Sequence, residues 1–192
     1  MLRGARRAIS TCWSLALWRT LRGMNLFDLT VPQLQKTLKN LDAWLGVAEK
    51  HAAAKKFPVE NLLTARLAPD QFAFVRQVQA VCDNAKMMPG RLAGKEWPKH
   101  EDNETTFEQL HARIASVQTY LASFKAEDFA GADDRHITLP WTEGKWMTAA
   151  DYAIQFALPN FYFHMVTAYA ILRHNGVELG KRDFLGSIPM HA

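Results

Sequence analysis

Apolar residues recur along this chain at intervals of three and four, and four stretches carry the pattern far enough to be long helices. Leu34, Leu38, Leu41, Leu45 and Ala48 mark one face of the first. Thr30, Pro32 and Gln33 read as its start: a capping hydroxyl, a proline in the first turn where its missing N–H is harmless, and a glutamine that closes a capping box. The pattern predicts a helix to about residue 54, ended by Lys55, Lys56 and Pro58, then a connector over 59–67. Phe72, Val75, Val78, Cys82 and Ala85 give the stripe of a second helix, predicted to begin near Pro69 and Asp70 and to run to about residue 92, its last turn disturbed by Pro89 and Gly90.

After a polar loop over 95–103, Thr105 with Glu108 reads as a capping box. Phe107, Leu110, Ile114, Val117, Leu121 and Phe124 follow as the clearest amphipathic run. Two short extended segments, 136–141 and 145–147, flank Thr142-Glu143-Gly144 and predict a small β-hairpin. Thr148 with Asp151 then caps the last long helix, which Gly176 ends. Pro159 lies inside that helix, frees the carbonyl of Gln155 and predicts a kink just before Asn160. The tail over 177–192 is expected to be irregular. Four long helices, short connections and little strand make an all-α four-helix bundle with a short extended excursion before the last helix.

Charge changes this picture only at the N-terminus. Arg3, Arg6, Arg7, Arg19 and Arg22 precede the first acid, Asp28, and taking these five from the net +4 leaves −1 for the rest. The body is therefore close to neutral, which argues against a nucleic-acid partner, since that needs basic residues clustered on the folded surface. No apolar run reaches the ~18 residues of a membrane span. Residues 1–23 read as an extension outside the fold, with three competing origins: a targeting peptide, a signal peptide, or a start assigned too early, with Met24 the true one. Residues 24–192 form the single domain. Cys82 is the body's one cysteine, so no disulfide framework exists there; a reducing cytoplasm is the expected compartment, and the thiol reads as a small buried hydrophobe.

With these elements in place, the chain resembles an uncharacterised, mainly bacterial family of the DinB-like helical-bundle superfamily. The matching stretches are 63–70 (LTARLAPD), 76–79, 82–86, 104–107, 137–140, 158–164 (LPNFYFH), 170–176 (AILRHNG) and 180–186 (GKRDFLG), collinear from residue 24 to about 186. The resemblance implies a DinB-like four-helix bundle. In that superfamily one histidine of the second helix and an H-x-x-x-H pair of the fourth hold a divalent metal, and some members are thiol-dependent transferases or hydrolases. Aligning Leu172, Arg173 and Gly176 with the end of the fourth helix puts the pair on Asn160 and His164, and the second-helix position near Asp83.

Asp83, Asn160 and His164 are thus the implied metal ligands, a donor set with one imidazole where the superfamily has three. Arg76, seven residues before Asp83 and on its face, completes a candidate ligand pocket. Three readings stay open: an altered divalent-metal site, a metal-free pocket for a small-molecule ligand, and a buried polar network at the old metal position. The function classes follow: a small-molecule enzyme, a ligand-binding module, or a non-catalytic structural or homodimer-forming protein, with Trp44, Trp97, Trp141 and Trp146 available as contact area.

If residues 1–23 stand outside the fold, deleting them leaves the melting temperature unchanged. A drop of more than about 4 °C, worth roughly 1 kcal/mol in a domain this size, would show that they pack on the bundle.

Overall fold

The computed structural model describes residues 25–190. Four long helices form the bundle: α1 (Leu26–Lys55), α2 (Phe74–Ala93), α3 (Phe107–Ala122) and, after a three-residue turn α4 (Ala149–Asp151), α5 (Leu158–His174). A short α6 (Lys181–Leu185) follows. Single 3-10 turns at Val59–Leu62, Ala126–Phe129 and Ala132–Asp134 punctuate the connections. Strands β1 (His136–Ile137) and β2 (Met147–Thr148) pair antiparallel, His136 opposite Thr148, as the expected hairpin. The protein is an all-α bundle with this excursion before its last long helix.

The core runs down the bundle axis. Leu34, Leu38, Leu41 and Leu45 of α1 meet Val78, Val81 and Ala85 of α2, Leu110 and Val117 of α3, and Phe161, Met165 and Leu172 of α5, all essentially without solvent contact. Phe74 stacks on Phe107, with ring centroids 5.9 Å apart, and ties the starts of α2 and α3.

Several boundaries differ from the expected ones. Asn25, not Thr30, caps α1, its Oδ1 accepting from the Asp28 amide at 2.9 Å. Thr30 is inside the helix, where its hydroxyl donates back to the Leu26 carbonyl. Pro32 lies within α1 on an exposed position. In α3 the capping box is one residue later than expected: Thr106 Oγ1 accepts from the Gln109 amide at 3.2 Å, and Gln109 Oε1 accepts from the Thr106 amide at 3.1 Å. The expected cap of the last helix is present, Thr148 Oγ1 accepting from the Asp151 amide at 3.1 Å.

At Pro159 the expected interruption takes the form of a change of helix type. The helix widens to a π-helical turn over Tyr152–Ala157 before α5 begins, so Pro159 falls in the first turn of a new helical segment, where no intrahelical N–H is needed. The tail is more ordered than expected. Asn40 Nδ2 donates to the Phe184 carbonyl at 3.0 Å and Trp44 Nε1 to the Asp183 carbonyl at 3.2 Å, while Trp44 stacks on Phe184. These contacts dock α6 on α1 and bury Trp44, so it is not available as the contact area expected of it.

Gly90 marks a close approach. A Cβ there would stand 2.7 Å from Trp97 Cε3 and 2.9 Å from the Tyr120 hydroxyl. Gly90→Ala is therefore expected to lower stability by about 1–3 kcal/mol through overpacking. A denaturant titration checks this, and a neutral result would show that Trp97 swings aside freely.

Candidate functional site

Asn160 and His164 lie one turn apart on α5, and α2 faces them in antiparallel register. The partners are not the expected ones. His164 Nδ1 meets Gln77 Oε1 at 2.8 Å, and Asn160 Nδ2 donates to Asn84 Oδ1 at 2.7 Å. Each α2 partner is itself anchored: Gln77 Nε2 donates to the Phe72 carbonyl at 3.0 Å and Asn84 Nδ2 to the Ala80 carbonyl at 2.8 Å. The Phe72 bond turns the Gln77 amide so that its oxygen faces the ring, which puts the imidazole proton on Nδ1 and the lone pair on Nε2. Burial, helped by the charge of Arg76, pushes the His164 pKa below its ordinary 6.5, so the ring is neutral at neutral pH.

Asp83, implied as a ligand beside Asn160 and His164, does not join this pair of contacts; the residue of α2 that faces His164 is Gln77. One residue along a helix turns the side chain by about 100°, so Asn84 looks at α5 while Asp83 looks at α3. Asp83 Oδ1 accepts from Arg113 Nη2 at 2.7 Å and from Lys86 Nζ at 2.8 Å. Arg76 likewise leaves the proposed pocket: it pairs with Asp102 and donates to Gln79 Oε1 at 3.2 Å. Arg113, buried in α3, also bonds Asp102 Oδ1 and Glu104 Oε1, each at 2.7 Å. Gln79 Nε2 reaches the other Glu104 oxygen at 2.8 Å.

The network extends to the loop before α3. Lys86 Nζ contacts His100 Nδ1 at 2.7 Å, and His100 Nε2 contacts Ser116 Oγ at 3.2 Å. Lys86, already bound to Asp83, is the donor here. His100 therefore accepts at Nδ1 and carries its proton on Nε2, pointed at the serine oxygen. A base that activates Ser116 needs the opposite tautomer, so the trio is not a nucleophile relay. Burial and the nearby charges of Lys86 and Arg113 lower the His100 pKa. Burial opposes the Arg113 charge, but the hydrogen bond to Glu104 and the field of Asp83 outweigh it and raise its pKa further above the ordinary arginine value. Cys82 lies beside this cluster, and burial pushes its thiol up to about 12, which makes it inert. Sequence reasoning missed Arg113, Lys86 and Glu104. The available signal was a charged residue at a core-facing position of α3 with acids in the loop before it.

The donor set between α2 and α5 consists of three carboxamides, Gln77, Asn84 and Asn160, with one imidazole. Carboxamide oxygens are weak ligands for zinc, nickel or iron(II), and two of the three amides already spend their oxygens on protein partners. Among the described residues no group of three or more His, Cys, Asp or Glu side chains stands where it could hold a metal ion. The residues present do not fit the superfamily's three-histidine centre.

A bundle of four long helices with a polar level between its second and last, and a short hairpin before the last, is the DinB-like class. The sequence matches the family described as Domain of unknown function (DUF1993) over residues 26–185. The chain belongs to that family. It is similar to a crystal structure of a DinB family member protein from Shewanella denitrificans, with 52% identity, a TM-score of 0.84, and coverage of 87% of this chain and 95% of that one. No curated protein matches it. Among the described residues no helix is long and apolar enough to cross a membrane.

The lowered His164 pKa fixes the sign of a pH effect. The folded state keeps the ring neutral, whereas the unfolded chain protonates it near 6.5, so its contribution is complete above that pH and is lost as pH falls below it. The wild type is expected to lose stability between pH 7.5 and 5.5 with a steeper slope than His164→Gln. His100, shifted the same way, supplies the slope that remains. Melting curves across that range check this, and equal slopes would show that His164 titrates normally.

Proposed function

We propose that this protein is a non-catalytic member of the DinB-like bundles. In this reading Gln77, Asn84, Asn160 and His164 occupy the metal position as a hydrogen-bond network that sets the register of α2 against α5. The observation that carries it is the pairing: each side chain at that level already has a neutral partner within 2.8 Å on the facing helix. A neutral, mutually satisfied set holds two helices together without the desolvation cost of a charge. The polar level then specifies packing, and the work of the protein lies at its surface.

Phe163 and Val166, a turn apart on α5 and more than half exposed, offer an apolar face for a second copy of the chain. Phe72, exposed two residues before α2 begins, is a further apolar residue of this kind. The reading is therefore a module that pairs with itself through the outer side of α5.

Zinc content after loading and dialysis, with a thermal melt on the same samples, tests the network. The wild type is expected to hold no stoichiometric zinc, and His164→Ala to lose roughly 1–3 kcal/mol by stranding the Gln77 carbonyl. Stoichiometric zinc in the wild type that vanishes in His164→Ala, with stability unchanged, would establish the altered metal site instead. Sedimentation of the wild type beside Phe163→Lys tests the pairing, with a dimer expected to become a monomer. A monomeric wild type would remove that part of the reading.

A further inference from the structure

At the far end of α2 from Gln77 lies a cleft of about 500 Å³, a volume typical of small-molecule sites. Gly90 and Gly94, one turn apart, form part of its lining with Arg91, Trp97 and Lys99. Arg91 is half-buried, its guanidinium 5.0 Å from the Trp97 ring centroid and 5.9 Å from that of Tyr152. Its polar partner is the Tyr152 hydroxyl at 3.3 Å. Among the described residues no carboxylate meets Arg91, whereas Arg76, Lys86, Arg113 and Lys95 each meet one. Lys99 is exposed and, among the described residues, meets no carboxylate either.

Two further groups nearby lack acceptors among the described residues. The Tyr120 hydroxyl, beside Gly90, is buried without a hydrogen-bond partner. The Arg135 guanidinium stands against Gly94, with its Nε buried and unpartnered. A half-buried arginine against aromatic rings, with one N–H given to the Tyr152 hydroxyl and the others free of protein acceptors among the described residues, is suited to an anion held by paired hydrogen bonds.

The surroundings choose among anions. This is the C-terminal end of α2, where the helix dipole is negative, and Glu96 also lines the cleft. Both oppose any anion, and oppose a dianion such as phosphate about twice as strongly as a carboxylate monoanion. The Trp97 ring favours a ligand with an apolar body. We propose that this cleft binds a small organic carboxylate, its anion paired with Arg91 and its apolar body against Trp97.

Titration of the full-length protein with 2-naphthoate, followed by amide and indole NMR shifts, tests the proposal, with inorganic phosphate as the comparison. Saturable shifts are expected at Gly90, Gly94 and the Trp97 indole, and phosphate is expected to produce none at equal concentration. Arg91→Gln should weaken naphthoate binding ~10-fold or more, the loss of one charge-assisted hydrogen bond or two, while Arg91→Lys retains part of it. Unsaturated shifts, shifts centred elsewhere, or binding unaltered in Arg91→Gln overturn the proposal. Tighter binding of phosphate overturns the carboxylate assignment. If Arg91→Gln fails to give a dispersed spectrum, the position and saturation of the wild-type shifts decide alone.

Discussion

The buried guanidinium of Arg113 is the constraint on which much of this bundle's local order depends. An unpaired arginine inside a protein costs several kcal/mol in lost hydration, and the cost is offset only if acceptors surround it. Here the acceptors come from two places: Asp83 from α2, and Asp102 and Glu104 from the loop that leads into α3. Arg76 and Lys86 complete a closed set of three cations and three carboxylates. The loop between α2 and α3 has little apolar content of its own. It is fixed because its acids must satisfy a charge that α3 has already buried.

The two sides of α2 thus obey different electrostatics. Toward α3 the side chains are ionic, and their geometry is set by pairing charges. Toward α5 they are neutral, and their geometry is set by matching donors to acceptors. The separation has a physical reason. A protonated His164 would add a cation near Arg76, and burial with that neighbour keeps the ring neutral. Asp83 turned toward α5 would leave Arg113 one acceptor short. Each residue on α2 therefore has a partner that its neighbour, about 100° around the helix, cannot serve.

This rotation also explains what could be read from the chain. The four helices, the hairpin and the final cap were legible, because apolar periodicity and the Thr148–Asp151 spacing are local signals. So was the α5 pair, since Asn160 and His164 share a face by spacing alone. Their partners were not legible. A one-residue difference between Asp83 and Asn84 is within the reach of any alignment by motif, yet it exchanges a carboxylate for an amide and a charged face for a neutral one. The start of α1 was misread for a related reason. Thr30 can satisfy its hydroxyl on the Leu26 carbonyl inside a helix, so its side chain does not require a helix end. The π-turn over Tyr152–Ala157, just before Pro159, has no counterpart in the apolar periodicity.

The ionic network has a consequence for the cleft at the end of α2. Trp97 and Lys99 belong to the segment that Asp102, Glu104 and His100 fasten to Arg113, Arg76 and Lys86. The other wall, Gly90, Arg91 and Gly94, belongs to α2 itself. One wall is therefore helix and the other is a loop held by charge, and both are set before any ligand arrives. Trp97 is held from a second side, because Gly90 leaves it just enough room to pack beside Tyr120. A preformed cleft loses little conformational entropy on binding, which is the condition under which one arginine without a carboxylate partner can decide affinity.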